Sequence, residues 1–324
     1  MISARALHLF AISLLFACGT NDGSPGSDAG TSPDSGSPDP DGGSNANDAA
    51  PSDAASGGDS GALVAARPYD LKVPTGYDKS KATPLVVLLH GYTASGATQE
   101  AYFKLAPVAD AQTFLYATPD GTKDSVGNRF WNATDACCNF DGSKVDDVAY
   151  VNAVIDDVQK KYNVDPKRVY LVGHSNGAFM SHRLACDSSA RIAAIVALAG
   201  DVWADSGKCN PTSPVAILQI HGTADAVIAY GGGKNGALPP YPPATASVAT
   251  WAQKNGCSGN PVGGAPVDLE AVLLGPETTT ASYGGCKAGG ATELWTIVGG
   301  SHVPALQSSF GTTVWSFLAA HPKP

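Results

Sequence analysis

Charge is scarce in this 324-residue chain, with Asp, Glu, Lys and Arg together making up 15% of it. Its 20 Lys and Arg against 29 Asp and Glu leave a net charge of −9. With no basic excess to hold a phosphate backbone, nucleic acid is excluded as a partner. No apolar run is long enough to span a bilayer: Ala6 to Phe16 stops well short of the roughly 20 residues a spanning helix needs. The spacing of Cys and His does not resemble a zinc site, so no metal is expected. There is no internal repeat and no second boundary between folded domains. Between Gly19 and Ser60 the chain has no Lys, no Arg and no aromatic residue. Such a stretch cannot bury enough apolar surface to offset the entropy of ordering. The rest, in a chain that is 43% hydrophobic, can build one large core.

What is present divides the chain in three. Residues 1–18 read as an export signal, with the amino terminus and Arg5 as its positive end and Ala6 to Phe16 as its apolar stretch. Leu15-Phe16-Ala17-Cys18 resembles a bacterial lipobox, which implies cleavage before Cys18 and a lipid on its thiol; the alternative is a plain signal peptide with an incidental Cys. Gly19, rather than Asp, in the next position favours outer-membrane or surface sorting in a Gram-negative cell, with plain secretion as the other expectation. Residues 19–60 are expected to be a disordered tether reaching about 35 Å. That tether carries eight Asp, so residues 61–324 hold 19 basic and 21 acidic residues, a charge of −2. Membrane contact is then expected only through the lipid, and the protein is expected to be a monomer.

Residues 61–324 alternate strand and helix signals. Tyr69 to Val73 alternates like a half-buried edge strand. Pro84 to Leu89 is a continuous apolar run, as a parallel strand covered on both faces should be. Further strands are predicted at Thr113–Ala117, Arg168–Val172, Ile192–Leu198, Pro214–Ile220 and Glu293–Val298. Helices are predicted from Val148, just after Asp146 and Asp147, to about Tyr162, from Ala178 to Ala185 and from Ala244 to Asn255. This alternation predicts an α/β fold with a mostly parallel central sheet flanked by helices. No long helical insertion is available as a lid, so an open cleft is expected.

Gly173-His174-Ser175-Asn176-Gly177 lies between the Arg168–Val172 strand and the following helix, the context of a nucleophile elbow. Bulky neighbours two residues either side of a serine on so sharp a turn would collide, and Gly173 and Gly177 remove the collision. A nucleophilic hydroxyl needs a base, and the base needs a carboxylate to hold one tautomer. His302, after the last predicted strand, is the expected base. Asp225, in His221-Gly222-Thr223-Ala224-Asp225, is the expected acid, in preference to Asp201 after the strand before. His221 is expected to shape the turn that carries Asp225, and His90 to be structural. Oxyanion donors are assigned to the amides of Asn176 and Tyr92, with Thr93 as the next choice, because Gly91 lets the backbone approach a substrate.

These motifs, with Leu89-His90-Gly91, Pro119-Asp120-Gly121, Val145-Asp146-Asp147-Val148, Arg183-Leu184-Ala185-Cys186, Asn255-Gly256-Cys257 and Gly299-Gly300-Ser301-His302, follow one another in a recognisable order. From about Arg67 onward the chain resembles the poly(3-hydroxybutyrate) depolymerase and feruloyl esterase family, relatives of the first carbohydrate-esterase family. The resemblance implies an α/β-hydrolase fold without a large lid, exported ester hydrolysis without a cofactor, and the triad Ser175, Asp225 and His302. His90-Gly91-Tyr92-Thr93-Ala94 is also similar to the oxyanion loop of bacterial cutinases, which leaves polyester substrates open beside feruloyl and acetyl esters of polysaccharide. Transfer of the acyl group to a sugar and a non-catalytic surface binding module are the other readings.

Seven Cys less Cys18 leave six, an even number in an exported chain. Cys257 with Cys286 would staple the Gly- and Pro-rich excursion 258–285, and Cys186 lies where it can meet Cys209. That leaves adjacent Cys137 and Cys138 to bond each other, to pair elsewhere, or to keep a free thiol. Trp131 and Trp203, with His174 beside the nucleophile, are the candidate substrate-binding residues, since loops at strand C-termini form the binding face of α/β folds.

Overall fold

The computed structural model describes residues 60–324. The predicted signal, Cys18 and the tether up to residue 59 lie outside the described residues. Ser60 is already part of a helix, α1 (Ser60–Ala66), and its hydroxyl donates to Asp156.

Nine strands form one sheet. In chain order they are β1 (Tyr69–Lys72), β2 (Thr83–Leu89), β3 (Leu115–Pro119), β4 (Val164–His174), β5 (Ala194–Leu198), β6 (Ala216–Gly222), β7 (Ser258–Gly263), β8 (Thr278–Gly284) and β9 (Ala291–Ile297). Their spatial order is β1-β3-β2-β4-β5-β6-β9-β8-β7. From β3 across to β9 every pairing is parallel, and β1, β8 and β7 add antiparallel at the two ends.

The strand sequences account for this order. β2 is buried along its whole length, as a strand covered on both faces must be. Leu85, Val87 and Leu89 point to one apolar layer and Val86 and Leu88 to the other. The first layer is closed by α4 (Asp147–Lys161), α5 (Asn176–Asp187) and Trp251 of α6 (Ala244–Lys254). Helix α4 starts where Asp146 accepts from the Ala149 amide and ends with Lys160 and Lys161, charges that complement the helix dipole. The second layer is closed by α2 (Gly96–Phe103), α3 (Ala106–Gln112) and α7 (Phe310–Ala320), through Phe103, Val108, Phe310, Val314 and Phe317.

Two features differ from expectation. Helices α2, α3 and α7 fall where no helix was predicted. The excursion after Cys257 is not an irregular loop, because β7 and β8 pair there and extend the sheet beyond β9. Cys257–Cys286 closes the base of this hairpin, and Cys186–Cys209 and Cys137–Cys138 are also bonded. The segment between Asp225 and α6 holds only a two-residue strand pair, Gly233–Lys234 with Pro240–Tyr241. Among the described residues no helix is long and apolar enough to cross a membrane.

Candidate active site

Ser175 sits between β4 and α5 with φ 52° and ψ −121°, a backbone conformation that costs a non-glycine residue on the order of 1–3 kcal/mol. The surroundings over-determine it. The Ser175 amide donates to the Leu198 carbonyl of β5, and the Ser175 carbonyl accepts from Ala178 and Phe179 in the first turn of α5. A Cβ on Gly177 would stand 2.0 Å from the Leu89 carbonyl oxygen, and one on Gly173 2.2 Å from that of Gly177. The strand and helix can approach this closely only because those side chains are missing.

The loop after β2 lies against this elbow: a Cβ on Gly91 would meet Ser175 Cβ and His174 Nδ1, each at 3.4 Å. Its amides are accounted for one by one. Gly91 donates to buried Gln99 Oε1, Thr93 to the Arg129 carbonyl, and Ala94 to the Gly91 carbonyl. The Tyr92 N–H has no partner among the described residues, whereas Thr93, the second choice from sequence, is committed elsewhere. The Asn176 N–H opens α5, where first-turn donors have no partner within the helix. The Asn176 side chain is occupied: Oδ1 accepts from the Trp131 amide and Nδ2 donates to the Trp131 carbonyl. This clamp was not foreseen, since Asn in a G-x-S-x-G motif carries no signal of what its amide will meet.

On the other side, Asp225 follows β6 and His302 follows β9, neighbouring parallel strands. His302 Nδ1 is 2.8 Å from Asp225 Oδ2, which leaves Nε2 as the nitrogen free to exchange a proton. Asp225 Oδ1 accepts from the amides of Val227 and Ile228, each at 2.8 Å. Burial favours the neutral acid, but the His221 ring, the hydrogen bond from His302 and these amides hold Asp225 well below the usual carboxylate range. Asp201 is fully buried, accepts from Gln219 Nε2 and is pushed up to about 6 by burial. No hydrogen bond joins it to His302, nor does one join Ser175 Oγ to His302; such contacts in a serine site can tighten when substrate binds.

The halves meet at His174. Its Nε2 is 2.9 Å from the His302 carbonyl oxygen and its ring lies 5.1 Å from the His302 ring. Burial, with the His302 charge, pushes the His174 pKa down to about 4. This corrects one expectation: His174 braces the His302 loop and has no free ring nitrogen edge to offer a substrate from Nε2. Trp131 is corrected too. It is 0% exposed, its Nε1 donates to the His90 carbonyl and its ring stacks on Tyr150, so it is core. Trp203 is also buried within the same layer. The exposed aromatic near the elbow is instead Phe140, 52% exposed and edge-on to Tyr92. His90 is satisfied on both nitrogens, Nδ1–H donating to the Gly91 carbonyl and Nε2 accepting from the Gly121 amide.

A buried carboxylate that the sequence did not single out supports His302 from the hairpin side. Glu270 Oε1 accepts from the Ala305 amide and Oε2 from the Val272 and Leu273 amides. The Ala271 amide donates to the Ala305 carbonyl, and the Tyr102 hydroxyl to that of Pro304. Among the described residues no group of three or more His, Cys, Asp or Glu side chains is arranged to hold a metal ion.

Residues 75–237, half of the chain, match the family model described as Phospholipase/Carboxylesterase. The chain belongs to that family. This phospholipase/carboxylesterase family member is 31% identical over 255 residues to "Feruloyl esterase B" of Piromyces equi, covering 76% of the chain and 44% of the relative. It is 28% identical over 203 residues to "Feruloyl esterase C" of Emericella nidulans, covering 61% of the chain and 65% of that relative. The chain thus spans about half the length of the curated relatives it matches. The acetyl xylan esterase from Aspergillus awamori superposes with a TM-score of 0.53 at 16% identity, over 76% of this chain and 93% of the other. That likeness shows the α/β-hydrolase fold and nothing finer.

Proposed function

We propose that the protein hydrolyses carboxylic esters through an acyl-enzyme on Ser175, acting on feruloyl or acetyl groups carried by polysaccharide. The observation that carries the reading is the Asp225–His302 pair at 2.8 Å, set after β6 and β9 of the same sheet whose strand β4 leads into a strained serine elbow. Neutral His302 Nε2 takes the Ser175 Oγ proton as the oxygen attacks the ester carbonyl. The oxyanion forms against the amides of Tyr92 and Asn176. Collapse breaks the bond to the alcohol, which leaves with the proton from His302. Water, deprotonated by His302, then attacks the acyl group, and the carboxylic acid departs as Ser175 Oγ regains its proton. Asp225 keeps Nδ1 protonated and supports the imidazolium.

The names of the relatives support the acyl groups chosen. The three disulfides support an exported protein. Phe140 beside Tyr92 supports a ring-bearing substrate.

The test is hydrolysis by the purified protein of p-nitrophenyl acetate, methyl ferulate, acetylated xylan and a poly(3-hydroxybutyrate) suspension. Release of ferulate or xylan acetate is expected, and Ser175→Ala should lower turnover by about 10³-fold or more. Clearing of the polymer alone would replace polysaccharide by polyester. Transfer products with an added sugar acceptor would make it an acyltransferase. Absence of fluorophosphonate labelling at Ser175, with no turnover, would leave a binding module.

A further inference from the structure

A second histidine stands behind the triad. His221, next to last in β6, is fully buried. Its Nε2 is 2.8 Å from the Ile228 carbonyl oxygen and 3.4 Å from Asp225 Oδ2, the oxygen that also meets His302 Nδ1. A carbonyl only accepts, so the Ile228 contact requires a proton on Nε2, and the N–H so fixed places its partial positive charge 3.4 Å from Asp225 Oδ2 without a hydrogen bond to it. Nδ1 of His221 has no partner among the described residues; nor have Asp201 Oδ2 and Gln219 Oε1. The Tyr230 ring stands edge-on to His221 at 5.7 Å. The ionisable groups facing this imidazole are therefore Asp225, Asp201 and Tyr230, with His302 across the shared carboxylate. Burial opposes a charge on His221, but its contact with Asp225 and the charge of Asp201 outweigh burial and raise its proton affinity above the usual value.

A carboxylate oxygen with a polar N–H 3.4 Å away offers less negative charge to the donor that hydrogen-bonds it. We propose that His221 is a positioning residue of the triad: its Nε2–H, anchored on the Ile228 carbonyl, fixes the turn whose Val227 and Ile228 amides hold Asp225 towards His302, and its charge beside Oδ2 limits how strongly that carboxylate supports the His302 imidazolium. This rests on the ester-hydrolysis reading and refines it. Loss of the donor then has two consequences. Asp225 supports the imidazolium more strongly, so the acid limb of the pH profile moves up. The carboxylate is also freer to turn, which slows the chemistry more than it weakens substrate binding.

The experiment is the pH profile of kcat/KM for p-nitrophenyl acetate with the full-length protein. His221→Leu is expected to move the acid limb up by about half a pH unit and to lower kcat about tenfold with little change in KM. His221→Gln returns an N–H near the place of Nε2 and should restore most of both. Identical profiles for the Leu and Gln variants, or an acid limb that stays put while only the melting temperature falls, overturn the proposal. A readout independent of variant folding is the ¹⁵N spectrum of histidine-labelled wild-type protein. A proton on His221 Nε2 throughout the active pH range is expected, and a bare Nε2 with the proton on Nδ1 overturns the proposal. An inactive Ser175→Ala with an unmoved limb in His221→Leu rejects this inference and spares the hydrolysis reading. A fully active Ser175→Ala removes both.

Discussion

The two halves of the site are built by different means. Ser175 is placed by its immediate neighbours: two glycines within two residues, a strand before it and a helix after it. His302 is placed by groups far away in the chain: Asp225, 77 residues earlier, and Glu270 and Tyr102 holding the loop from the hairpin and from α2. The first half depends on sterics that admit no adjustment, because a backbone carbonyl at 2.0 Å cannot move aside. The second depends on several hydrogen bonds of ordinary strength, each worth about 1 kcal/mol net, or more where a charged group accepts. Damage to the elbow should therefore destroy the fold and the site together, and damage to the His302 brace should loosen the site in steps.

The largest effect is expected from Gly177→Ala. The new methyl would meet the Leu89 carbonyl, so β2 and α5 must separate, at a cost of about 3 kcal/mol or more. Thermal unfolding and probe labelling of Ser175 should fail together; a variant with native stability would show that the strand–helix contact yields more easily than its geometry implies.

Glu270→Ala should do less. It leaves the Ala305, Val272 and Leu273 amides without their acceptor while leaving the elbow untouched. Turnover is expected to fall about 10- to 100-fold, with probe labelling slowed and far-ultraviolet circular dichroism unchanged. Wild-type kcat in this variant would mean that the Ala271 and Tyr102 bonds suffice.

The seam between the halves should respond to acid. His174, held down to about 4, and His182, held down to about 3 by burial, are neutral in the folded chain where unfolded histidines near 6.5 take up protons. The unfolded state therefore binds more protons in that window, and stability falls as pH drops from about 6.5 towards 4. Asp201, pushed up to about 6, acts in the opposite sense and reduces the slope, whereas His221, held above its usual value, takes up its proton at higher pH and adds little slope below 6.5. His174→Gln can still donate to the His302 carbonyl without titrating, so its melting temperature should decline less between pH 6.5 and 4. An unaltered slope would mean that His174 does not set the acid response.

The smallest effect is expected from Tyr92→Phe. It removes the hydroxyl bond to Asp124 Oδ2 at 2.6 Å but keeps the backbone amide assigned to the oxyanion. Activity should change by no more than about threefold; a loss of a hundredfold in kcat would move the role from the amide to the hydroxyl.

The same contrast explains what could be read from the amino acids alone. The elbow and the parallel strands were legible because their causes are local: glycine spacing, and apolar runs such as Pro84–Leu89 that suit only a doubly covered strand. Asp225 and His302 were legible from strand position. Helix α2 was not, because Gly-Ala-Thr-Gln-Glu-Ala-Tyr-Phe has no clear apolar stripe and is held by capping and packing. The β7–β8 hairpin was hidden by its Gly, Pro and Ser content, since its pairing depends on the β9 edge. Trp131 reads as a candidate for the binding face, yet Arg67 and Asn176, 64 residues before it and 45 after it, pack against it and bury it. Glu270 could not be identified, because its work is accepting amides from a segment about 35 residues downstream.

The hairpin has a further effect, on how copies of the chain behave towards one another. A sheet of nine strands ends in two rows of main-chain groups that can recruit a foreign strand. Here one end is β7, which is exposed along its length and carries Pro261 between Gly259 and Gly263. Pro261 has no N–H to offer, and the register is already irregular between Ser258 and Val262. At the other end β1 is four residues long and carries Asp70 and Lys72. Both ends are poor templates, so crowding should not join one sheet to the next strand by strand.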